Sequence, residues 1–358
     1  MTAPDSSRNS SPASSRSSLV AEYDALLLDL DGTVWAGHNP IPYAVEAINA
    51  AALPAMYVTN NASKGPEEVA GALRGIGLDV AAENVMTSAQ AAVKLAEQYL
   101  QPGDPVYVVG APSFKELVAG AGFRVVESAD DKPIVVLHGH HPDNGWRTLA
   151  EAVLAINAGA RYLASNLDST LPTARGMALG NGSMVAAVTN ATGVVPQAAG
   201  KPGPAMFEIA QQTLGSQRPL VVGDRLDTDI AGGVAAGMDT LHVLTGVSGP
   251  WALLNAPVSQ RPTFIAENMT ALSESAADLA PQPQGGFTAS VNPASSGTTQ
   301  RTVVLAGGDG DSTPIQALRT VLAAAWAEDT ADGSGDPTPE FTVEAQSPSA
   351  RKAVESWW

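Results

Sequence analysis

Leu26-Leu27-Leu28-Asp29-Leu30-Asp31-Gly32-Thr33-Val34-Trp35 decides how the rest of the chain reads. Three leucines run into two aspartates placed two residues apart, and then into a Gly-Thr turn. An aliphatic run bounded in this way reads as a buried strand of a parallel sheet. Carboxylates at its end are costly unless a cation or hydrogen-bond donors meet them. Side chains two apart on a strand share a face, so Asp29 and Asp31 can reach one site, with Gly32 permitting the sharp exit. Taken alone, D-x-D-G is short enough to arise by chance, and a solvated strand-to-loop junction explains it equally well. A calcium-binding EF-hand loop does not, because Val34 stands where that loop needs glycine and Pro40 where it needs a bidentate glutamate.

Outward from this strand the pattern repeats. "PIPYAVEAINAA" reads as a helix, "PAMYVTNN" as a strand, "KGPEEVAGALRGIG" as a helix with Pro66 in its first turn, and "SAQAAVKLAEQYL" as a helix capped by Ser88. This alternation predicts an α/β fold, a doubly wound, Rossmann-like parallel sheet with helices on both faces. "PLVVGDRLDTDI" is a second aliphatic strand ending in acid, at Asp224, Asp227 and Asp229. Ligands of open α/β sheets sit beyond the carboxyl ends of the strands. Two acidic strand ends there suggest one shared cation site, and Mg²⁺ fits, since it takes one or two carboxylates and leaves room for waters and phosphate. Thr59, Asn60 and Asn61 end another strand with neutral donors, and Lys201 precedes a helix opened by Pro202 and Pro204. Each alone is an ordinary residue; the ordered set carries the weight.

The predicted organisation follows. Residues 1–19, rich in Ser and Pro, form a disordered tail; 20–101 and 196–275 form the core; 102–195 form an inserted α/β cap; 276–300, rich in Pro, Gly, Ser and Gln, form a linker; 301–358 form a small C-terminal α/β piece without a catalytic motif. The formal net charge of −17 argues against nucleic acid or anionic membrane as partner. The chain has no cysteine, which excludes disulfides and thiolate zinc sites. No stretch is apolar enough to span a bilayer, and the N-terminus lacks the apolar segment of a signal peptide, so the expected compartment is the cytoplasm.

Asp29-Leu30-Asp31-Gly32-Thr33, Thr59, Lys201 and Gly223-Asp224-Arg225-Leu226-Asp227-Thr228-Asp229 together resemble the four motifs of the haloacid dehalogenase superfamily. The likeness runs from about Ala21 to Leu272 and points to the branch of p-nitrophenyl phosphatase-like, phosphoglycolate and pyridoxal phosphatases. The resemblance implies a phosphomonoesterase with Asp29 as nucleophile and Asp31 as general acid–base. It implies Mg²⁺ held by Asp29, Asp224 and the main-chain carbonyl of Asp31. Lys201, Thr59 and Asn60 would bind phosphate, with Asn61 beside them, and Asp229 would orient Lys201 or a metal-bound water from just outside. General likeness to bacterial members selects glycerol-3-phosphate among small phosphorylated metabolites. A phosphomutase or phosphotransferase using the same intermediate, and a non-catalytic phosphometabolite-binding module, are the alternatives; the Asp29/Asp31 pair argues against the module.

The insertion resembles the branch's large α/β cap, and substrate choice is expected there. Asn166 and Asp168 in "YLASNLDSTLP" resemble its specificity loop. His138, His140 and His141 cluster in "VVLHGHHPDNGW", where strand-end histidines near the cleft are favoured over a zinc site, because no Cys or well-spaced acid accompanies them. A homodimer through the cap is the expected assembly.

Overall fold

The computed structural model describes residues 17–37, 39–173, 175–292, 300–329 and 340–358. The leucine run is the strand Ala25–Leu28, fully buried, near the middle of a six-stranded parallel sheet. Ala55–Thr59 and then Val85–Thr87 lie on one side of it, and Pro219–Gly223, Asp239–Val243 and Phe264–Ala266 on the other. The chain therefore reverses its winding direction around the strand that carries Asp29. A crevice opens at such a switch point, outside the carboxyl ends of the strands. Helices cover both faces, and two apolar clusters fill the layers, one around Leu26, Leu28 and Val222, the other around Leu27, Met56 and Val221.

The insertion forms a second parallel sheet, in the order Gln197–Ala198, Arg161–Ala164, Val135–His138, Pro105–Val109, Arg124–Val126. Its final strand lies beyond residue 195, so the cap sheet takes two residues that the sequence reading gave to the core. Leu137 and Leu163 of this sheet share a cluster with Leu27 and Met56 of the core. The helix Ser88–Ala96 lies in that cluster through Ala89, Ala92 and Ala96. Its cap is Thr87, not Ser88: Thr87 Oγ1 accepts from Gln90 N and the Gln90 side chain accepts from Thr87 N. Ser88 instead donates to Asn60 O at 2.6 Å, tying the helix to the strand end that bears Asn60. An antiparallel hairpin, Thr170–Thr173 with Gly176–Leu179, projects from the cap.

Two further expected boundaries move. The tail, of which residues 1–16 lie outside the described residues, ends sooner than predicted: Leu19 is completely buried and its N–H donates to Glu274 O. The expected linker 276–300 begins as structure, with a helix at Ala276–Leu279 and a strand at Phe287–Asn292; 293–299 lie outside the described residues. Composition hides two anchors there, Leu279 and Phe287, both buried. The strand pairs antiparallel with Arg301–Gly307, which pairs parallel with Phe341–Ala345. The helices Pro314–Asp329 and Pro348–Glu355 belong to the same appendage. Leu318, Val321, Leu322 and Trp357 pack in one cluster with Leu253, Leu254 and Ile265 of the core. Arg319, itself buried, donates to Ile265 O from Nε at 2.9 Å and from Nη2 at 2.5 Å. Among the described residues, no helix is long and apolar enough to cross a membrane.

Candidate active site

Asp29 follows its strand directly, its N–H donating to Val222 O at 2.9 Å, so the sheet fixes its backbone. Lys201 Nζ donates to Asp29 Oδ1 at 2.5 Å, to Asp229 Oδ1 at 2.6 Å and to Val58 O at 3.0 Å. All three donors of the ammonium are thus engaged by groups from three separate parts of the chain. Asp29, Asp224 and Asp229 each offer a carboxylate oxygen within 4.8 Å of the others. Asp229 makes the contact with Lys201 expected of it, and it also lies close enough to join the other two carboxylates. The Asp31 carboxylate stands apart, accepting from the Trp35 indole Nε1 at 3.0 Å.

Three buried carboxylates facing one ammonium leave an excess of negative charge. Burial raises the Asp29 carboxyl well above its ordinary range, Asp229 and Asp224 raise it further, and Lys201 opposes them. Asp224 is pushed up to about 6, by burial first and then by Asp229. Burial lowers the affinity of Lys201 for its proton, but Asp229 and Asp29 outweigh this and raise its pKa. Such an all-oxygen set, short of positive charge, suits a hard divalent cation. Burial also raises Asp31, against the lowering hydrogen bond from Trp35.

Of the neutral donors, Thr59 lines the cleft, while the asparagines make bonds within the protein. Thr59, buried at its strand end, lines the cleft and accepts from Asn61 N at 3.1 Å. Asn61 Oδ1 closes a turn by accepting from Ser63 N and Oγ, both at 2.8 Å. The Asn60 side chain grips the Lys201 peptide at both ends, accepting from Lys201 N at 2.9 Å and donating to Lys201 O at 3.1 Å. Its amide also donates to Asp168 Oδ2 at 3.2 Å. Asn60 thus serves as a joint, and its amide is not a free phosphate donor. Asn166 behaves likewise: Nδ2 donates to Asn60 O at 2.7 Å and Oδ1 accepts from Asp168 N at 3.2 Å. Asn166 and Asp168 therefore bind the cap to the core.

The histidines separate. His138 is buried in the cap with Nδ1 2.8 Å from Tyr162 Oη; His140 lines the cleft with Nδ1 3.3 Å from Ser63 Oγ; His141 lies near Asp143. The strand ends at His138, and His140 and His141 follow beyond it.

A functional loop escaped the sequence reading. Thr245 Oγ1 donates to Gly32 O at 2.6 Å, Val247 N to Asp224 Oδ2 at 2.7 Å and Ser248 N to Asp224 O at 3.1 Å. His242 Nε2 lies 2.9 Å from Ser248 O. A Cβ on Gly246 would fall 1.9 Å from Asp224 Oδ2, and one on Gly32, whose φ is +97°, would fall 2.5 Å from it. Two glycines therefore cradle this carboxylate. "TGVSG" following an aliphatic strand was the available signal. The cleft between core and cap encloses about 120 Å³ and is also lined by Leu171, Asn181 and Arg225.

A carboxylate at a strand end, held by a buried lysine beside two further aspartates and closed over by an inserted cap, defines a phosphoryl-handling hydrolase. The chain belongs to the haloacid dehalogenase superfamily and is a phosphatase of it. Residues 26–124 match the model of haloacid dehalogenase-like hydrolases and residues 198–272 that of HAD-hydrolase-like proteins. It is 41% identical over 345 residues to D-glycerol 3-phosphate phosphatase of Mycobacterium tuberculosis, covering 95% of each chain. The crystal structure of a glycerol phosphate phosphatase of that organism in complex with magnesium superimposes with a TM-score of 0.86, covering 96% of this chain and 99% of that one. An acid sugar phosphatase of Staphylococcus aureus is 38% identical over 235 residues, 64% of this chain and 89% of its own. A thermostable NPPase structure from Geobacillus stearothermophilus gives a TM-score of 0.62 at 32% identity, covering 69% of this chain and 96% of its own.

Proposed function

We propose that this chain is a Mg²⁺-dependent phosphomonoesterase that hydrolyses glycerol-3-phosphate through an aspartyl-phosphate. The observation that carries the reading is the Asp29 carboxylate, rigid at a strand end, held by Lys201 and grouped with Asp224 and Asp229. The small cleft and the similarity to the M. tuberculosis phosphatase support the substrate.

Asp29 attacks phosphorus with a carboxylate oxygen, and the bond from phosphorus to the ester oxygen breaks. Asp31, whose raised pKa suits a proton carrier, gives its proton to the leaving alkoxide. Asp31 then takes a proton from water as that water attacks the aspartyl-phosphate. The bond between Asp29 and phosphorus breaks, and both inorganic phosphate and the starting enzyme are regenerated. The Thr59 hydroxyl faces the phosphoryl oxygens, and Lys201, its three N–H groups engaged by Asp29, Asp229 and Val58, acts on their charge as a fixed positive partner. The Asp29, Asp224 and Asp229 carboxylates and the Asp31 carbonyl would hold Mg²⁺, which supplies positive charge opposite the phosphoryl group. The cap excludes water and shapes the pocket. A homodimer through the cap, supported by the exposed Trp146 and Val195, and a cytoplasmic setting complete the reading.

The test is phosphate release with and without Mg²⁺. Asp29→Asn should lose activity by about 10⁴-fold or more while keeping its fold. Appreciable turnover in that variant removes Asp29 from the mechanism. A panel of phosphorylated metabolites on which glycerol-3-phosphate does not rank first by kcat/KM removes the substrate.

A further inference from the structure

The loop Thr245–Gly249 holds Asp224 from one side, and its far end is held in turn by the appendage. Gly249 has φ −89° and ψ −175°, extended backbone that any residue adopts. Its lack of a side chain answers to space instead: a Cβ there would lie 2.5 Å from Trp358 O, 2.7 Å from Trp358 Cε3 and 2.8 Å from Trp358 Cζ3. The neighbouring Trp357 is buried and sets its ring edge-on to Trp251, with centroids 5.5 Å apart. Trp251 belongs to the helix Pro250–Leu254, which starts directly after Gly249. Trp357 thus anchors this end of the chain on the core, and Trp358, 56% exposed, closes against the loop backbone. Two residues before Gly249, Val247 N meets the Asp224 carboxylate.

We propose that Trp358 is a positioning residue for the divalent-cation site: by packing on Gly249 it fixes the loop that presents Asp224. The appendage then sets cation affinity without contributing a ligand. This rests on the reading of Asp224 as a cation ligand given above. Groups that orient ligands from outside cost about 10–100-fold in metal affinity when removed. Trp358 acts through one more layer, so Trp358→Ala should weaken Mg²⁺ binding by about 3–10-fold.

The experiment is calorimetric titration of the substrate-free full-length protein with Mg²⁺, with Tm measured alongside. Trp358→Ala should bind more weakly with a nearly unchanged Tm, since its side chain is largely exposed. Trp358→Phe, which keeps a ring against Gly249, should recover most of the affinity, and Gly249→Ala should weaken binding by collision from the other side. Wild-type affinity in Trp358→Ala overturns the inference while leaving the cation site intact. Equal weakening in Val303→Ala, a cavity in the appendage's own sheet, also overturns it, because lost stability would then account for the effect. Mg²⁺ binding that is indifferent to Asp224→Ala overturns the cation-site reading and the inference with it.

Discussion

Replacing Gly246 with alanine places one methyl group against the Asp224 carboxylate. The new Cβ would stand 1.9 Å from Oδ2, 2.4 Å from Cγ and 2.8 Å from Cβ of Asp224. Contacts below 3.0 Å essentially do not occur, so carboxylate and loop must separate by at least about 1.1 Å. Asp224 cannot yield freely, because Val247 N and Thr33 Oγ1 hold its two oxygens and Gly32 crowds it from the other side. Misplacement by about 1 Å near a reacting centre costs on the order of 10²-fold in rate. Gly246→Ala should therefore lower kcat/KM by about 10²-fold and raise the Mg²⁺ concentration needed for half-maximal activity. Gly120→Ala, where a Cβ meets nothing within 4 Å, is the matched control. The assay is phosphate release over a grid of substrate and Mg²⁺ concentrations, with circular dichroism to confirm the fold. A Gly246→Ala enzyme as active as the control would refute the placement of this loop at the cation site.

The remaining predictions concern charge, the appendage and the cap. Asp224 titrates in the fold at about 6, above its ordinary value of 3.8, so its stabilising contribution is complete below that ordinary value and is lost as pH rises through about 6. Metal-free protein should lose on the order of 2–3 kcal/mol over that rise, with Mg²⁺ abolishing the loss; a Tm in chelator that stays flat across this range contradicts it. A chain ending at Pro281 uncovers Leu253, Leu254 and Ile265, each worth about 1.5–3 kcal/mol of burial, a large share of the usual 5–15 kcal/mol of stability. That truncate should aggregate or melt far lower, and one melting with the full chain shows the appendage to be dispensable. Leu171→Ala should change the ratio of kcat/KM between substrates, whereas Asp168→Asn should lower all substrates together, because Asp168 bonds Asn60. Competition assays with paired substrates separate the two outcomes.

The strands and the ordered acid–lysine set were legible because each is local: an aliphatic run, a terminal carboxylate, a proline after Lys201. Sequence places Asp29 and Asp224 at strand ends, and the parallel topology then brings those ends together. What it could not supply was the spending of hydrogen bonds. Asn60 and Asn166 read as donors for a ligand, yet their amides are committed to backbone at the seam of cap and core, while Asn61 spends its carbonyl oxygen on Ser63. Asp229 read as an orienting partner of Lys201, and that shared lysine also draws it among the carboxylates. The loop at Thr245–Gly249 carries no charged residue, and a run of small residues after an aliphatic strand is a weaker mark than a carboxylate. Composition misled at Ala276–Leu279 and Phe287–Asn292, where two buried side chains outweigh the glycines and prolines around them.

The commitment of Asn60 bears on how such an enzyme can acquire new substrates. Its single amide fixes the Lys201 peptide on one side and touches Asp168 on the other. Drift at Asn60, Asn166 or Asp168 therefore disturbs the shared chemistry, whatever molecule is being hydrolysed. Leu171, on the hairpin wall of the cleft, is outside that network and can change size or polarity at little expense to the reaction. Divergence among cap-bearing relatives should accordingly run through the hairpin, with the seam between cap and core left as inheritance.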